Sequence, residues 1–307
     1  MDLSVKKIIR DNNTFVILIA LIIVSSMLSP KFLSTTNLLN ILRQATLVGL
    51  MAFGMTPIII SGGIDLSVGS MMAVASVLSS TLIQHHSVLM AIIIPLLLTM
   101  FLGMINGLII TKGNVQPFLA TMAMMVIARG FSQIYVGGLL VQVFNEGFLY
   151  LGRGYFLGIP IPVIILLITF GVMLFLIKRT VLGISVYAIG GNEACSYLSG
   201  LQIDKVKIVL YTISGLLSGL SGLIYTSRLG AGYGMAGMYS EMDVIAAVVM
   251  GGTLMSGGVG TLTGTLWGVL IIGIIQNILN MLNVPAPYHP IVTSIILISA
   301  VVAQKRQ

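Results

Sequence analysis

Apolar runs of about 20 residues follow one another along the whole of this 307-residue chain, each long enough to cross a hydrocarbon core roughly 30 Å thick. No polar stretch between them is long enough to fold alone. In lipid every backbone group needs an internal partner, so such runs become helices. The pattern predicts an all-α, polytopic integral membrane protein, a single transmembrane domain over residues 1–307. Only 7% of the residues are charged, against roughly 25% in a soluble domain, and mean hydropathy is +1.09. Soluble classes are excluded.

The runs divide into about ten segments, near 14–29, 41–60, 64–83, 88–110, 115–137, 160–177, 208–227, 241–256, 261–282 and 290–303. Segments two, three and eight read as short, broken or re-entrant. Residues 139–158 form the longest external stretch and 178–207 the main cytoplasmic loop. With both termini in the cytoplasm, Lys6, Lys7, Arg10, Lys112, Lys178, Arg179, Lys205, Lys207, Lys305 and Arg306 lie inside, against Lys31, Arg153 and Arg228 outside. That is the bias expected of cytoplasmic loops. The net charge of +7 therefore reports topology and calls for no nucleic-acid partner. The first apolar run, Phe15 to Leu28, lacks a small-residue cleavage site and reads as a membrane segment rather than a cleaved leader. Cys195 is the single cysteine, which rules out an intrachain disulfide.

One stretch breaks the apolar pattern: T-P-I-I-I-S-G-G-I-D-L-S-V-G-S, residues 56–70. Irregular backbone at membrane depth occurs only where it is buried in protein or lines a watery cavity. A carboxylate there marks a functional site by default. Three roles stand open for Asp65: cap of the following helix, contact with a polyhydroxylated substrate, or cation ligand. A cap is the plainest of these, because Asp is at home near a helix N-terminus. Gly62 and Gly63 suit a bend and close packing, and no Lys follows to make a phosphate loop. The pattern G-G-x-x-x-S-x-G recurs at 251–258, and transporters often place broken helices at corresponding positions of two halves.

Neutral polar residues interrupt other segments, among them Asn106, Asn114, Gln116, Gln133, Gln276, Asn277 and Asn280. Gln276 or Asn277 with Asn280 can share one helix face. Their carboxamides suit a sugar or other polyol, and equally suit interhelical hydrogen bonding. Arg129 is expected to snorkel or to pair with Glu241 or Asp243. His85, His86 and His289 have no metal-ligand spacing, no buried series of acids forms a proton relay, and no catalytic constellation is visible. In the 178–207 loop, Asn192 to Gly200 has an N-cap, a short helix and a terminating glycine, the form of a helix that docks into a partner's groove.

Several long stretches resemble a known family: G-G-I-D-L-S-V-G-S (62–70), T-K-G-N-V-Q-P-F-L-A-T-M-A-M-M (111–125), G-G-N-E-A-C-S-Y-L-S-G (190–200), E-M-D-V-I-A-A-V-V-M-G-G-T (241–253) and G-G-V-G-T-L-T-G-T-L (257–266). They are similar to the membrane-spanning permease subunits of bacterial ABC importers for ribose and related sugars. The resemblance implies a non-enzymatic pathway subunit in the bacterial inner membrane. Its partners would be an ABC ATPase, an extracytoplasmic sugar-binding protein, a second permease copy and membrane lipid. No cofactor or metal would reside in this chain; ATP and magnesium would sit on the ATPase. Candidate pathway residues are Asp65, Gly62, Gly63, Asn106, Gln116, Phe118, Gln276, Asn277 and Asn280. Candidate ATPase-coupling residues are Asn192, Glu193, Ala194, Tyr197, Leu198 and Gly200. The coupling segment departs from the common E-A-A-x-x-x-G form at Cys195 and in the position of Gly200.

Overall fold

The computed structural model describes residues 13–304; the charges expected at Lys6, Lys7, Arg10, Lys305 and Arg306 lie outside them. The described chain is almost wholly helical: α1 (Asn13–Leu28), α2 (Thr35–Ile60), α3 (Val68–His85), α4 (Val88–Lys112), α5 (Pro117–Tyr135), α6 (Glu146–Arg153), α7 (Ile161–Arg179), α8 (Val181–Gly191), α9 (Glu193–Leu198), α10 (Ile203–Leu229), α11 (Ser240–Met250), α12 (Leu262–Met281) and α13 (His289–Gln304). Among the described residues, six helices are long and apolar enough to cross a membrane: α2, α4, α5, α7, α10 and α12.

The centre is made of α2, α3 and α10. Every residue from Val48 to Ser61 and from Val68 to Ser80 is buried, the mark of a helix enclosed on all sides. Around them α4 packs against both α3 and α10, while α11 and α12 pack against α2. The α4–α10 seam is built from glycines: a Cβ at Gly103 or Gly215 would collide with the carbonyls of Tyr211 and Thr99 respectively. Such close approach is the usual way helices associate in lipid.

Two ends of the bundle are identifiable from contacts. At one, Thr14 of α1 donates to the Met250 carbonyl that ends α11 (2.9 Å), and Lys112 of α4 pairs with Asp204 of α10 (2.6 Å). At the other, β1 (Val141–Gln142) pairs antiparallel with β4 (Ala231–Gly232). There Arg153 Nε donates to the Arg228 carbonyl (3.0 Å) and Arg43 stacks over the Tyr155 ring.

Several boundaries differ from the sequence reading. Residues 139–158, read as the longest external stretch, contain β1, α6, capped by Asn145, and β2 (Tyr155–Phe156), which turns back onto β3 (Ile159–Pro160). Segment three begins at Val68, not 64, because Ile64 to Ser67 stays outside the helix to serve Asp65's hydrogen bonds. Segment eight is shorter than 241–256. It stops at Met250, where Gly252 takes φ +86°.

Candidate functional site

The break between α2 and α3 is closed rather than open. Ser61 ends α2, Gly62 takes φ +82°, and the Gly62 and Gly63 amides donate back to Ile59 and Ile58 (both 2.9 Å). Asp65 is completely buried. Its Oδ1 accepts from the Ser67 amide (3.0 Å) and the Ser67 hydroxyl (2.5 Å). Its Oδ2 accepts from Ser214 Oγ on α10 (2.8 Å). Asn106 Nδ2 on α4 donates to Ser67 Oγ (3.0 Å), and Tyr211 donates to the Ile64 carbonyl (3.1 Å). A buried carboxylate is tolerable only with such a full set of donors. Asp65 thus clamps the break to α10, and Ser67, not Asp65, occupies the N-cap position of α3.

The second break repeats this exit. The amides of Gly252 and Thr253 donate to Val249 (2.9 Å) and Val248 (3.3 Å), and Gly252 shares the left-handed φ of Gly62. In structure Gly62 therefore corresponds to Gly252, one residue out of step with the repeat in sequence. The two breaks touch: the Gly258 amide donates to the Ile60 carbonyl (2.8 Å). At its far end α11 starts inside the bundle. Residues 233–239 dip inward along α3, with a Cβ at Gly237 falling 2.9 Å from the Met72 sulfur. Arg129 of α5 donates to the carbonyls of Gly234 (3.2 Å) and Ala236 (2.6 Å). The arginine expected to snorkel or to pair with Glu241 or Asp243 props this dip through its carbonyls, within electrostatic reach of Glu241. At 11 residues, α11 is only about 16 Å long, a half-helix.

A polar layer lies where α2, α11, α12 and α13 meet. Gln44 Nε2 donates to Gln276 Oε1 (3.1 Å), and Gln276 Nε2 donates to Asp243 Oδ2 (2.7 Å). One layer outward, Asn37 and Asn277 exchange a reciprocal pair of amide bonds (3.1 and 2.8 Å). Asn280 turns onto its own helix and donates to the Gln276 carbonyl. The remaining candidates lie apart from this layer: Gln116 and Phe118 are both exposed at the start of α5. The nine pathway candidates thus fall into three groups, not one site.

The coupling candidates do form one surface. The Asn192 side chain accepts from the Cys195 amide (2.9 Å), and Gly200, at φ +81°, ends α9. Glu193 pairs with Lys207 of α10 (2.6 Å). Ala194 is exposed, as are Tyr197 at 72% and Leu198 at 84%. Val181 and Ile184 of α8 are exposed nearby in sequence. Behind this surface Tyr187 of α8 donates to the Gly260 carbonyl (2.7 Å). A Cβ at Gly190 would strike the Ile60 carbonyl. Sequence reasoning missed Ser214, Tyr211, Gln44 and Tyr187; each acts through a partner far away in the chain, which no local pattern announces.

Residues 37–301 match the family model described as branched-chain amino acid transport system / permease component. The chain is 45% identical to the ribose import permease of Bacillus subtilis over 296 residues, covering 95% of this chain and 92% of that one. It is 40% identical to the ribose import permeases of Haemophilus influenzae (98% and 95% covered) and Escherichia coli K12 (97% and 95%). No solved structure matches it. With the family matched over most of its length and its apolar helices stacked as a bundle, the chain belongs to this family of ABC transport permease components and is a multi-pass protein of the bacterial inner membrane.

Proposed function

We propose that this chain is the membrane pathway of an ATP-driven importer that carries ribose, or a closely similar monosaccharide, into the cytoplasm. The observation that carries the reading is identity of 40–45% to three ribose import permeases along nearly the whole chain. An extracytoplasmic binding protein would deliver the sugar, two copies of this chain would flank the path, and ATP with magnesium would be hydrolysed on a separate ATPase.

In this reading ten helices are embedded: α1 to α5, α7 and α10 to α13, with α11 crossing only the inner part. Both termini and α9 face the cytoplasm. The exposed Tyr197 and Leu198 then seat in the ATPase, as an amphipathic helix does in a groove. ATP binding pushes α9 and α8, and α8 bears directly on both breaks through Gly190 and Tyr187. Asp65 holds the first break to α10 so that the two move together.

The test is reconstitution with the candidate ATPase and a ribose-loaded binding protein. Hydrolysis should rise with the ribose-loaded protein and lose that rise in Glu193→Lys. A rise only with another sugar and its receptor reassigns the cargo; no coupling to any ATPase overturns the reading.

A further inference from the structure

An open cavity of about 510 Å³ lies beside the polar layer of α2, α11, α12 and α13, bounded by Gln44, Tyr239, Asp243, Gln276 and His289, with Met238, Pro287 and Pro290 as its apolar walls. That volume falls within the roughly 300–1,000 Å³ of small-molecule sites. The polar residues come from four helices and the dip before α11, so their convergence is tertiary and not a helical stripe. Their hydrogen bonds run in one direction. Gln44 donates to Gln276, and Gln276 donates to Asp243. This order fixes both amides; the Thr293 hydroxyl of α13 also hydrogen-bonds the Asp243 carboxylate, and of its roughly four lone-pair sites about two are left as acceptors. Among the described residues no Lys or Arg lines the cavity, so none of them balances an anion there. A carboxylate beside carboxamides, an imidazole and a phenol is a set of acceptors and donors suited to adjacent hydroxyls on an uncharged ring.

We propose that this cavity is a docking site for a neutral polyhydroxylated ligand, in which Asp243 accepts from two neighbouring hydroxyls while Thr293 and Gln276 hold that carboxylate in place and Gln44 orients Gln276. The proposal rests on the sugar-import reading. Within it, the site stands on the side of α11 away from the two breaks, where a sugar released by its receptor would pause before the path opens inward. The small apolar walls and the open mouth make it a weak holding site rather than a trap.

The experiment uses proteoliposomes holding this chain, the ATPase and saturating ribose-loaded receptor. Radiolabelled ribose uptake and ATP hydrolysis are followed together for the wild type, Asp243→Asn and Gln44→Ala. Uptake should fall roughly tenfold or more in Asp243→Asn, the scale of a lost charge-assisted hydrogen bond. Hydrolysis should fall less, so that fewer sugars move per ATP, and Gln44→Ala should shift the same ratio by a smaller factor. Gln44 lines the cavity and bonds Gln276 without touching Asp243, so this variant carries the test if Asp243→Asn fails to assemble. In a Cys195→Ser background, Tyr239→Cys should react with a membrane-impermeant maleimide more slowly in high ribose than in equal sulfate-balanced buffer. Wild-type sugar-to-ATP ratios in both variants, or labelling indifferent to ribose, would overturn the proposal while leaving the importer reading intact. Absence of any receptor-stimulated hydrolysis in the wild type would overturn both.

Discussion

The carbonyl of Ile60, the last residue of α2, accepts a hydrogen bond from the amide of Gly258 2.8 Å away, which ties the two breaks of the bundle to each other by main chain. Gly190 of α8 is packed on the same carbonyl so closely that it has no room for a methyl group. Movement of α8 therefore reaches both breaks at once.

Tyr187→Phe removes only the hydroxyl that reaches Gly260. Thermal stability in detergent should drop by about 1 kcal/mol or less, the worth of one hydrogen bond. Receptor-stimulated ATP hydrolysis should fall several-fold, because α8 then slides past the 257–260 loop. Unchanged stimulation would remove Tyr187 from the relay.

Two neighbouring glycines should respond differently. Gly62 has open space around it but a positive φ, so Gly62→Ala should cost about 1–2 kcal/mol from backbone strain, and Gly62→Asn less. At Gly63 a Cβ would lie 2.7 Å from the Tyr211 hydroxyl. Gly63→Ala should therefore also disturb the Tyr211 bond to Ile64, which Tyr211→Phe relieves. Melting curves of the single and double variants check this.

Ser214→Ala withdraws one donor from the buried Asp65 carboxylate and should cost about 1–3 kcal/mol. Asp65→Ala should cost more, since it strands the Ser67 amide and two hydroxyls together. If Ser214→Ala melts like the wild type, the Asp65 clamp is not holding the break.

Leu198→Asp changes a side chain that is 84% exposed and should leave the melting temperature within experimental scatter. Co-purification of the ATPase with this variant should be lost. For comparison, Lys112→Ala breaks an ion pair whose partners are both largely solvent-facing. It should change stability by less than about 1 kcal/mol and leave ATPase binding intact.

Much of this was legible in the residues. The apolar runs, the break at Ser61 to Gly63, the Asn192 cap and the Gly200 stop all rest on local rules of length, glycine conformation and capping. Distant pairings were not legible: Ser214 lies 149 positions from Asp65, and nothing near either residue names the other. Helix ends inside the bundle also escaped reading. Around 241–256 apolar composition continues past Met250, while the chain itself turns at Gly252. Arg129 hydrogen-bonds carbonyls because the dip before α11 exposes backbone acceptors that hydropathy cannot display. The repeat was visible in letters but offset by one, since the eye aligns glycine with glycine and the backbone aligns the left-handed residue.

A joint made of main chain has no rotamers. Where Gly190, Ile60 and Gly258 meet, there is no side chain to swing aside and absorb a push, so a shift of α8 is transmitted without slack. The same bareness leaves little to tune. A joint of side chains can be softened or stiffened one methyl at a time, whereas this one can only be kept or broken. Variation in how tightly ATP turnover is geared to transport should then arise beside the joint, at the Tyr187 contact and on the proposed docking face of α9, and suppressors of a damaged joint should map there.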